Sequence, residues 1–405
     1  MQASTYPLVD AAEAAALVLD RTPVLPAEEV HLAGCPGRVL AGDLVAPVEL
    51  PPFAASAVDG YAIRSADGGG RLRVAGESAA GRPFTGELPA GAAARILTGG
   101  VLPAGADTVV MVEDVEQGTD WVVVPEGFEA GRNFHRPGDD LRRGELVLRG
   151  GQPLGAAELG LAASVGLPAL RVHRRPRVAL MSTGDELVEV GTAPGPGQIV
   201  DSNRWALLAA LREAGAEVSL LGVAPDRPEP LRELVVEALR DHDALVTSGG
   251  VSVGTHDLVK PLLESLGEVH LGRVRLRPGK PFTFATLPGG RLAFGLPGFP
   301  VSSLVTFEVF VRPALRKMQG FASVQRPTLR VRLGYEARAG ADRTEYQRVT
   351  LVREDGELVA HTTGSQSSSR LMSLAGAHAL VRVPPGDTGL AAGSQVDAMV
   401  LSLPD

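Results

Sequence analysis

Residues 247–257 read TSGGVSVGTHD, and they lie between the apolar run Ala244-Leu245-Val246 and the segment LVKPLLESLG. An apolar run, a glycine turn and an apolar-periodic segment in that order predict a buried strand feeding a helix through a tight loop. Gly249, Gly250 and Gly254 open backbone angles closed to other residues and let the main chain pass close to a ligand. Consecutive amides in such a turn, joined by the hydroxyls of Ser248 and Ser252, form a cradle for an anion such as phosphate. No Lys followed by Ser or Thr comes after the glycines, and no GxGxxG opens a helix, so neither of the two common nucleotide fingerprints is present. Taken singly the stretch equals an ordinary strand-to-helix loop with Asp257 as its cap. Its surroundings decide the reading.

Outward from this loop, strands and helices alternate. Residues 178–181 and 218–223 read as strands, WALLAALREAG as a helix capped from Asp201 to Asn203, and residues 228–240 as a helix with Leu231, Leu234, Val235 and Leu239 on its apolar stripe. Residues 282–286 and 292–294 read as further strands, the second entering GLPGFPVSSLVTFEVFVRP, another loop that opens a helix. This alternation predicts a parallel-rich sheet covered by helices, a three-layer α/β domain. Ligands of such sheets bind at the carboxyl ends of the strands. Four polar turns belong there: Ser182-Thr183-Gly184-Asp185-Glu186, Asp226 after Pro225, the opening glycine loop, and Leu296-Pro297-Gly298-Phe299-Pro300. The stiff turn Pro278-Gly279-Lys280-Pro281 adds a cation, with Arg273, Arg275 and Arg277 just upstream.

The chain has 405 residues, enough for two to four domains, and its 44% hydrophobic and 21% charged residues are those of a globular protein. Aromatic residues make up 4% and the net charge is −8, which argues against base-stacking platforms and against a general nucleic-acid or membrane surface. Cys35 is the single cysteine, so neither an internal disulfide nor a Cys-based zinc site is available, and it reads as a packed residue. The first twenty residues carry Asp10, Glu13 and Asp20 and lack a basic leader, so they read as neither a signal peptide nor a span, and the expected location is the cytoplasm. Residues 9–20 read as a helix stopped by Pro23 and Pro26, and VAPVELPPFAAS, residues 45–56, as a proline-rich crossing between domains. From residue 72 to 124 short β-type runs separated by Gly, Pro and Asp predict a small β domain, and residues 154–165 a helix ending at Gly166.

Asp185, Glu186, Asp226 and Asp257 are acids around a proposed phosphate cradle, and carboxylates repel phosphate. A hard cation such as Mg²⁺, bridging oxygen ligands, resolves the conflict and leaves Lys280 to neutralise the rest. For any one of these acids taken alone, a solvated loop position is the better explanation.

Taken together, MSTGDEL, IVDSN, TSGGVSVGTHD, LRPGKP and LPGFPVSS resemble the molybdopterin molybdenumtransferase family, to which MoeA and the gephyrin E domain belong. The resemblance extends to PPFAASAVDGYAI, ILTGGVLPAGADTVVMVED, NFHRPGDDLRRGE and TTGSQSSSRLMSLAGAHALVRVP, words in order from Pro51 to Pro384. It implies four domains, expected here as an elongated domain in two segments (1–45 and 142–174), an inserted β-rich domain (46–141), a molybdopterin-binding α/β domain (175–322) and a C-terminal β-barrel-like domain (323–405). It also implies a homodimer whose site includes the partner's inserted domain, and a reaction in which adenylylated molybdopterin and molybdate yield molybdenum-loaded cofactor and AMP with Mg²⁺. A molybdopterin adenylyltransferase and molybdoenzyme maturation factors are the implied partners.

Matching words carry over Asp59, Thr98, Glu186, Asp226, Asp257 and Lys280 as catalytic candidates, with Asp226 and Asp257 at the Mg²⁺. Ser182, Thr183, Gly184, Ser248, Gly249, Gly250, Ser252, Gly254, Pro297, Gly298, Ser368 and Arg136 are the expected ligand-binding positions. Three positions depart from the family's words: His135 stands where Arg is frequent, Arg277 where Lys is frequent, and Ala54-Ala55 replace a more polar pair. If His135 binds the oxyanion, affinity for molybdate falls as pH rises through its titration. Two alternatives come from other classes, a molybdopterin adenylyltransferase and a non-enzymatic gephyrin-like scaffold. The first needs the α/β unit alone, and no linker here suggests the second.

Overall fold

The computed structural model describes residues 6–250, 258–338, 340, 342–386 and 389–403. Two antiparallel pairs tie early segments of the chain to later ones. Ala27–His31 pairs with Ala169–His173, and Leu44–Val45 with Leu146–Leu148. Cys35, Leu40, Leu154, Leu170 and Val172 pack between them, with Cys35 fully buried as expected of a packed thiol. The chain leaves this body at Ala46 and returns beside itself, since the Ala46 amide bonds the Glu145 carbonyl and the Gly144 amide bonds Ala46.

The excursion between those points builds a six-stranded sheet. Its order is Thr108–Met111, Gly60–Ile63, Ala92–Ile96, Gly70–Ser78, Trp121–Val124 and Glu116–Gln117. Alternate residues Tyr61, Ile63, Leu72, Val122 and Val124 fill one face, as strand periodicity requires.

The expected α/β domain is present. Its sheet runs Glu217–Ala224, Arg177–Thr183, Ala244–Ser248, Arg291–Leu296, Thr283–Leu287, Glu268–Leu271; the first four strands are parallel, Thr283–Leu287 runs against them, and Glu268–Leu271, antiparallel to Thr283–Leu287, runs with them. Strand residues alternate between two cores. Val178, Leu180, Val246 and Phe294 meet Leu207, Leu211 and Val305 on one face. Ala179, Met181, Leu245 and Ala293 meet Leu231, Val235 and Leu263 on the other. Both faces are covered, which explains why these strands read as unbroken apolar runs.

The helix Ala11–Asp20, capped by the Asp10 carboxylate on the Ala12 amide at 2.7 Å, contributes Ala11, Ala14 and Val18 to the first of these cores. The helix that begins at Pro300 runs to Met318 with a π turn over Phe307–Val311. Pro313 has no amide hydrogen and its ring excludes the carbonyl four residues back, so the wider turn accommodates it.

Beyond this helix, Thr328–Leu333, Thr344–Glu354, Glu357–Thr362, Ala379–Val383 and Gln395–Val400 close into a five-stranded barrel, because Thr344–Glu354 pairs with both Glu357–Thr362 and Ala379–Val383. The α/β domain reaches into it: Leu276–Arg277 pairs in parallel with Thr344 and Glu345.

Candidate functional site

Register brings the strand ends to one edge. Thr183 stands opposite Ala224, Ser182 opposite Ser248, and Ser248 opposite Leu296. The turns that start at Gly184, Pro225, Gly249 and Pro297 therefore leave side by side, as anticipated for the carboxyl edge of an open sheet. The antiparallel strand Thr283–Leu287 starts at this same edge, with Thr283 opposite Gly295. Lys280 lies three residues before it, and the Pro278-Gly279-Lys280 turn packs on the Pro300 helix so closely that a Cβ on Gly279 would stand 2.5 Å from Thr306 Cγ2.

Close packing at the edge explains its glycines. Gly249 has φ +89°, and a Cβ there would lie 2.5 Å from the Thr183 carbonyl oxygen; on Gly250, φ +69°, it would lie 2.6 Å from Thr183 Oγ1. The glycines thus admit the neighbouring strand end as well as leaving main chain open. Gly298 approaches from the other side, where a Cβ on it would lie 3.9 Å from the Gly249 Cα. Asn203, the first residue of its helix, staples these turns: its Nδ2 donates to Ser248 Oγ at 2.9 Å and to the Gly298 carbonyl at 2.6 Å. Ser182 Oγ, Thr183 Oγ1 and Asn203 Oδ1 are buried and have no hydrogen-bond partner among the described residues. Such atoms are uncommon in folded proteins, and their grouping at one strand edge marks a place built for something other than packing.

The acids follow the same topology. The Asp226 amide donates to Asp185 Oδ1 at 3.4 Å, so two carboxylate-bearing residues adjoin across neighbouring strand ends. The Glu186 carboxylate folds back over Gly184, where a Cβ would come within 2.5 Å of Glu186 Oε2. Oxygen donors of this kind suit a hard cation. Among the described residues no three His, Cys, Asp or Glu side chains gather as a metal cluster. Ser252, Gly254 and Asp257 lie outside the described residues, and so does the expected pairing of Asp257 with Asp226.

Ser368 reaches this edge from the barrel: its carbonyl accepts the Val301 amide at 3.1 Å, next to Pro297 and Gly298. Arg348, fully buried, holds the serine loop from beneath by donating to the Ser367 carbonyl at 3.2 Å and to Ser373 Oγ at 3.1 and 3.2 Å, while Gln366 Oε1 accepts the Arg348 amide. Burial pushes the Arg348 guanidinium below the usual arginine range, and Glu345 and Tyr335 partly restore it. Arg277, one of the departures noted above, reaches Glu345 at 3.4 Å.

Asp59 and Thr98 form a second group. Thr98 donates both its amide and its hydroxyl to Asp59 Oδ1, each at 2.7 Å. The amide bond, then the hydroxyl bond, hold the Asp59 carboxyl below the usual aspartate range; slight desolvation opposes them and Arg95 adds a little. Thr98 lines a cleft of about 790 Å³ together with Ser56, Gly99, His135, Asp139 and Ser164. Arg136 follows His135, and its amide donates to Asp139 Oδ2 at 2.6 Å. Among the described residues no hydrogen bond or ion pair joins this group to the α/β edge.

Comparison with known proteins matches the chain in three consecutive parts: residues 9–166 with the MoeA N-terminal region (domain I and II), 179–317 with a probable molybdopterin binding domain, and 330–401 with the MoeA C-terminal region (domain IV). A molybdopterin molybdenumtransferase from a Nostoc species is 38% identical over 98% of this chain and 94% of its own length. The chain belongs to the molybdopterin molybdenumtransferase family. A relative of the same name from Haemophilus influenzae is 36% identical over 84% of this chain and 85% of its own length. Gephyrin of Dictyostelium discoideum is 35% identical over 98% of this chain, which spans 63% of that protein's length. The crystal structure of a MoeA protein from Pyrococcus horikosii superimposes with a TM-score of 0.84 at 32% identity, covering 97% of this chain and 99% of that one.

Within this molybdenumtransferase fold, three residues went unnoticed as site members. Asn203 reads in sequence as a helix cap, and its grip on residues 45 and 95 positions further along leaves no local trace. Arg204 is the next residue in the chain. Arg348 does carry a signal, a cation at an inward position of the strand TEYQRVTLVRE.

Proposed function

We propose that this protein inserts molybdenum into the dithiolene of molybdopterin, consuming adenylylated molybdopterin and molybdate and releasing AMP. The observation that carries this reading is the arrival of Ser368 at the edge where Thr183, Ser248, Gly249 and Pro297 converge. An adenylyltransferase needs the α/β edge alone, whereas a site that must also receive an oxyanion gains from a serine loop laid across it, and the adenylyltransferase alternative is not favoured.

In this reading the Gly250 amide receives the substrate's phosphates, the Gly249 amide being engaged with the Leu296 carbonyl at 3.0 Å, and Lys280 compensates their charge. Asp226 and Asp185, together with Asp257, are the residues that would hold Mg²⁺, and their hard oxygen donors fit it. When bound, that ion supplies positive charge that polarises the phosphoanhydride. Glu186 organises the polar wall of the cleft, and Asn203 keeps the Ser248 and Gly298 turns at their spacing. Arg136, Asp59 and Thr98 serve from the inserted domain, supplied by the partner subunit of a homodimer. Exposed apolar side chains beside the edge, Phe299 (59% exposed), Trp205 (46%) and Met372 (78%), support a face covered by a second copy. An adenylyltransferase would deliver the substrate in the cytoplasm and molybdoenzyme maturation factors would collect the product.

The full chain incubated with adenylylated molybdopterin, molybdate and Mg²⁺ is expected to release AMP in step with molybdenum insertion. Formation of adenylylated molybdopterin from molybdopterin and ATP would instead identify an adenylyltransferase, and neither activity would leave the scaffold.

A further inference from the structure

Arg204 carries a charge into the interior, where it is 3% exposed. Its guanidinium faces two carboxylates: Nε lies 3.2 Å from Asp201 Oδ2, which is itself buried, and Nη2 makes a short hydrogen bond to Glu189. Asp201 precedes the helix of Arg204 and its Oδ1 accepts the Arg204 amide at 3.2 Å. Glu189 belongs to the loop that starts with Gly184-Asp185-Glu186. That loop is pinned at Glu186 and two residues beyond it, since the Ile199 amide bonds the Glu186 carbonyl at 2.8 Å and the Asp201 amide bonds the Val188 carbonyl at 3.0 Å. Leu187–Val188 and Ile199–Val200 pair in parallel between these bonds.

The neighbouring strand bends at the same place. Pairing of Arg177–Thr183 with Glu217–Ala224 slips by one residue between Leu180 and Met181, and Gly222 at the slip takes φ +84°. A Cβ on Gly222 would stand 3.5 Å from Arg204 Nη1 and 4.0 Å from Glu189 Oε1, so the bulge faces the ion pair. Asp226 follows four residues later. One guanidinium is therefore common to the Glu186 loop, the helix that starts at Asn203 and the strand that leads to Asp226. Burying Arg204 and Asp201 costs desolvation that their mutual attraction only partly offsets, and an apolar pair of equal volume would serve stability as well.

We propose that Arg204 is a positioning residue which, through Glu189 and Asp201, fixes the loop of Glu186 and with it the place of the Glu186 carboxylate over Gly184 at the strand edge. The inference rests on the molybdenumtransferase reading given above. In its test, kcat, KM and the thermal midpoint are measured for the full chain with adenylylated molybdopterin, molybdate and Mg²⁺. Wild type is compared with Glu189→Gln, Arg204→Lys and Arg204→Met. Misplacing a positioned group by about 1 Å can cost about 100-fold in rate. Glu189→Gln, whose side chain is 54% exposed, is expected to lower kcat by about tenfold or more with KM within about twofold and the midpoint almost unmoved. Arg204→Lys should retain more kcat than Arg204→Met. A wild-type kcat in Glu189→Gln, or losses of kcat that simply track the midpoint across all three variants, would overturn the positioning role. If the wild type itself releases no AMP, the functional reading fails, and amide exchange then judges the loop: unchanged protection of Ile199 and Asp201 in Glu189→Gln would overturn the inference too.

Discussion

The Val301 amide donates a 3.1 Å hydrogen bond to the Ser368 carbonyl, so a loop of the C-terminal barrel caps the first turn of the helix that follows Leu296-Pro297-Gly298. The first amides of a helix have no partner within it, and here one of them is satisfied by a segment 67 positions further along the chain. A local need of the helix is thereby turned into a junction between domains, and the side chains of Ser367, Ser368 and Ser369 come with it. The parallel pairing of Leu276–Arg277 with Thr344 and Glu345 fastens the same junction from its other side.

Arg348 is the residue on which that loop depends. It donates to the Ser367 carbonyl and to Ser373 from a fully buried position, with buried Glu345 nearby. Arg348→Met is expected to lower stability by about 1–3 kcal/mol, because the substitution removes the donors to the Ser367 carbonyl and to buried Ser373. Denaturant unfolding measures that loss, and amide exchange at Ser373 and Val301 should accelerate in the same variant. Protection at Val301 equal to wild type would show that the serine loop is held by other contacts.

Gly249 tests how the edge is packed. With φ +89° and the Thr183 carbonyl oxygen 2.5 Å from where a methyl group would stand, Gly249→Ala meets both backbone strain, worth about 1–3 kcal/mol, and a collision with main chain that cannot rotate away. Gly191, in the adjacent loop, has φ +92° and nothing within 4 Å of the same position, so Gly191→Ala meets the strain alone. Gly249→Ala should therefore be the less stable of the two in urea unfolding. Equal losses would show that contact with Thr183 costs nothing beyond the strain.

How much of this was legible beforehand follows from the range of the contacts. The strand ends at Thr183, Ala224, Ser248 and Leu296 were readable because each is a local pattern, an apolar run broken by Gly, Pro or Asp, and parallel topology then sends them to one edge. Lys280 was readable through its stiff Pro-Gly-Lys-Pro turn. Asp59 and Thr98 looked like turn residues until family words joined them, and the two bonds between them span 39 positions. Asn203, Arg204 and Arg348 were missed because an isolated Asn or Arg has many local explanations; what sets these apart is burial and partners distant in sequence, which only the folded chain supplies. The helix Ala11–Asp20 is legible from its period, but its packing against the segment Phe307–Met318 is not, since an alanine-rich stripe fits many surfaces.

The Asp59–Thr98 pair gives a prediction with a definite sign in pH. Two hydrogen bonds from Thr98, the amide first, favour the ionised Asp59 and hold its carboxyl below the usual aspartate range. A group whose pKa is depressed on folding contributes stability that is complete above its unfolded pKa and disappears as pH falls through the folded value. The contact should therefore persist throughout the neutral range and open only in acid below the usual aspartate titration. Thr98→Ala removes the hydroxyl and keeps the amide, so the Asp59 midpoint, followed by carboxyl NMR, should move up towards the usual range without reaching it. An unmoved midpoint would deny the hydroxyl any part in holding the charge, and a return to the full unperturbed value would deny the amide its larger one. At neutral pH Asp59 is ionised in both proteins, so any loss of activity in Thr98→Ala there reports altered geometry at the cleft and no change of charge.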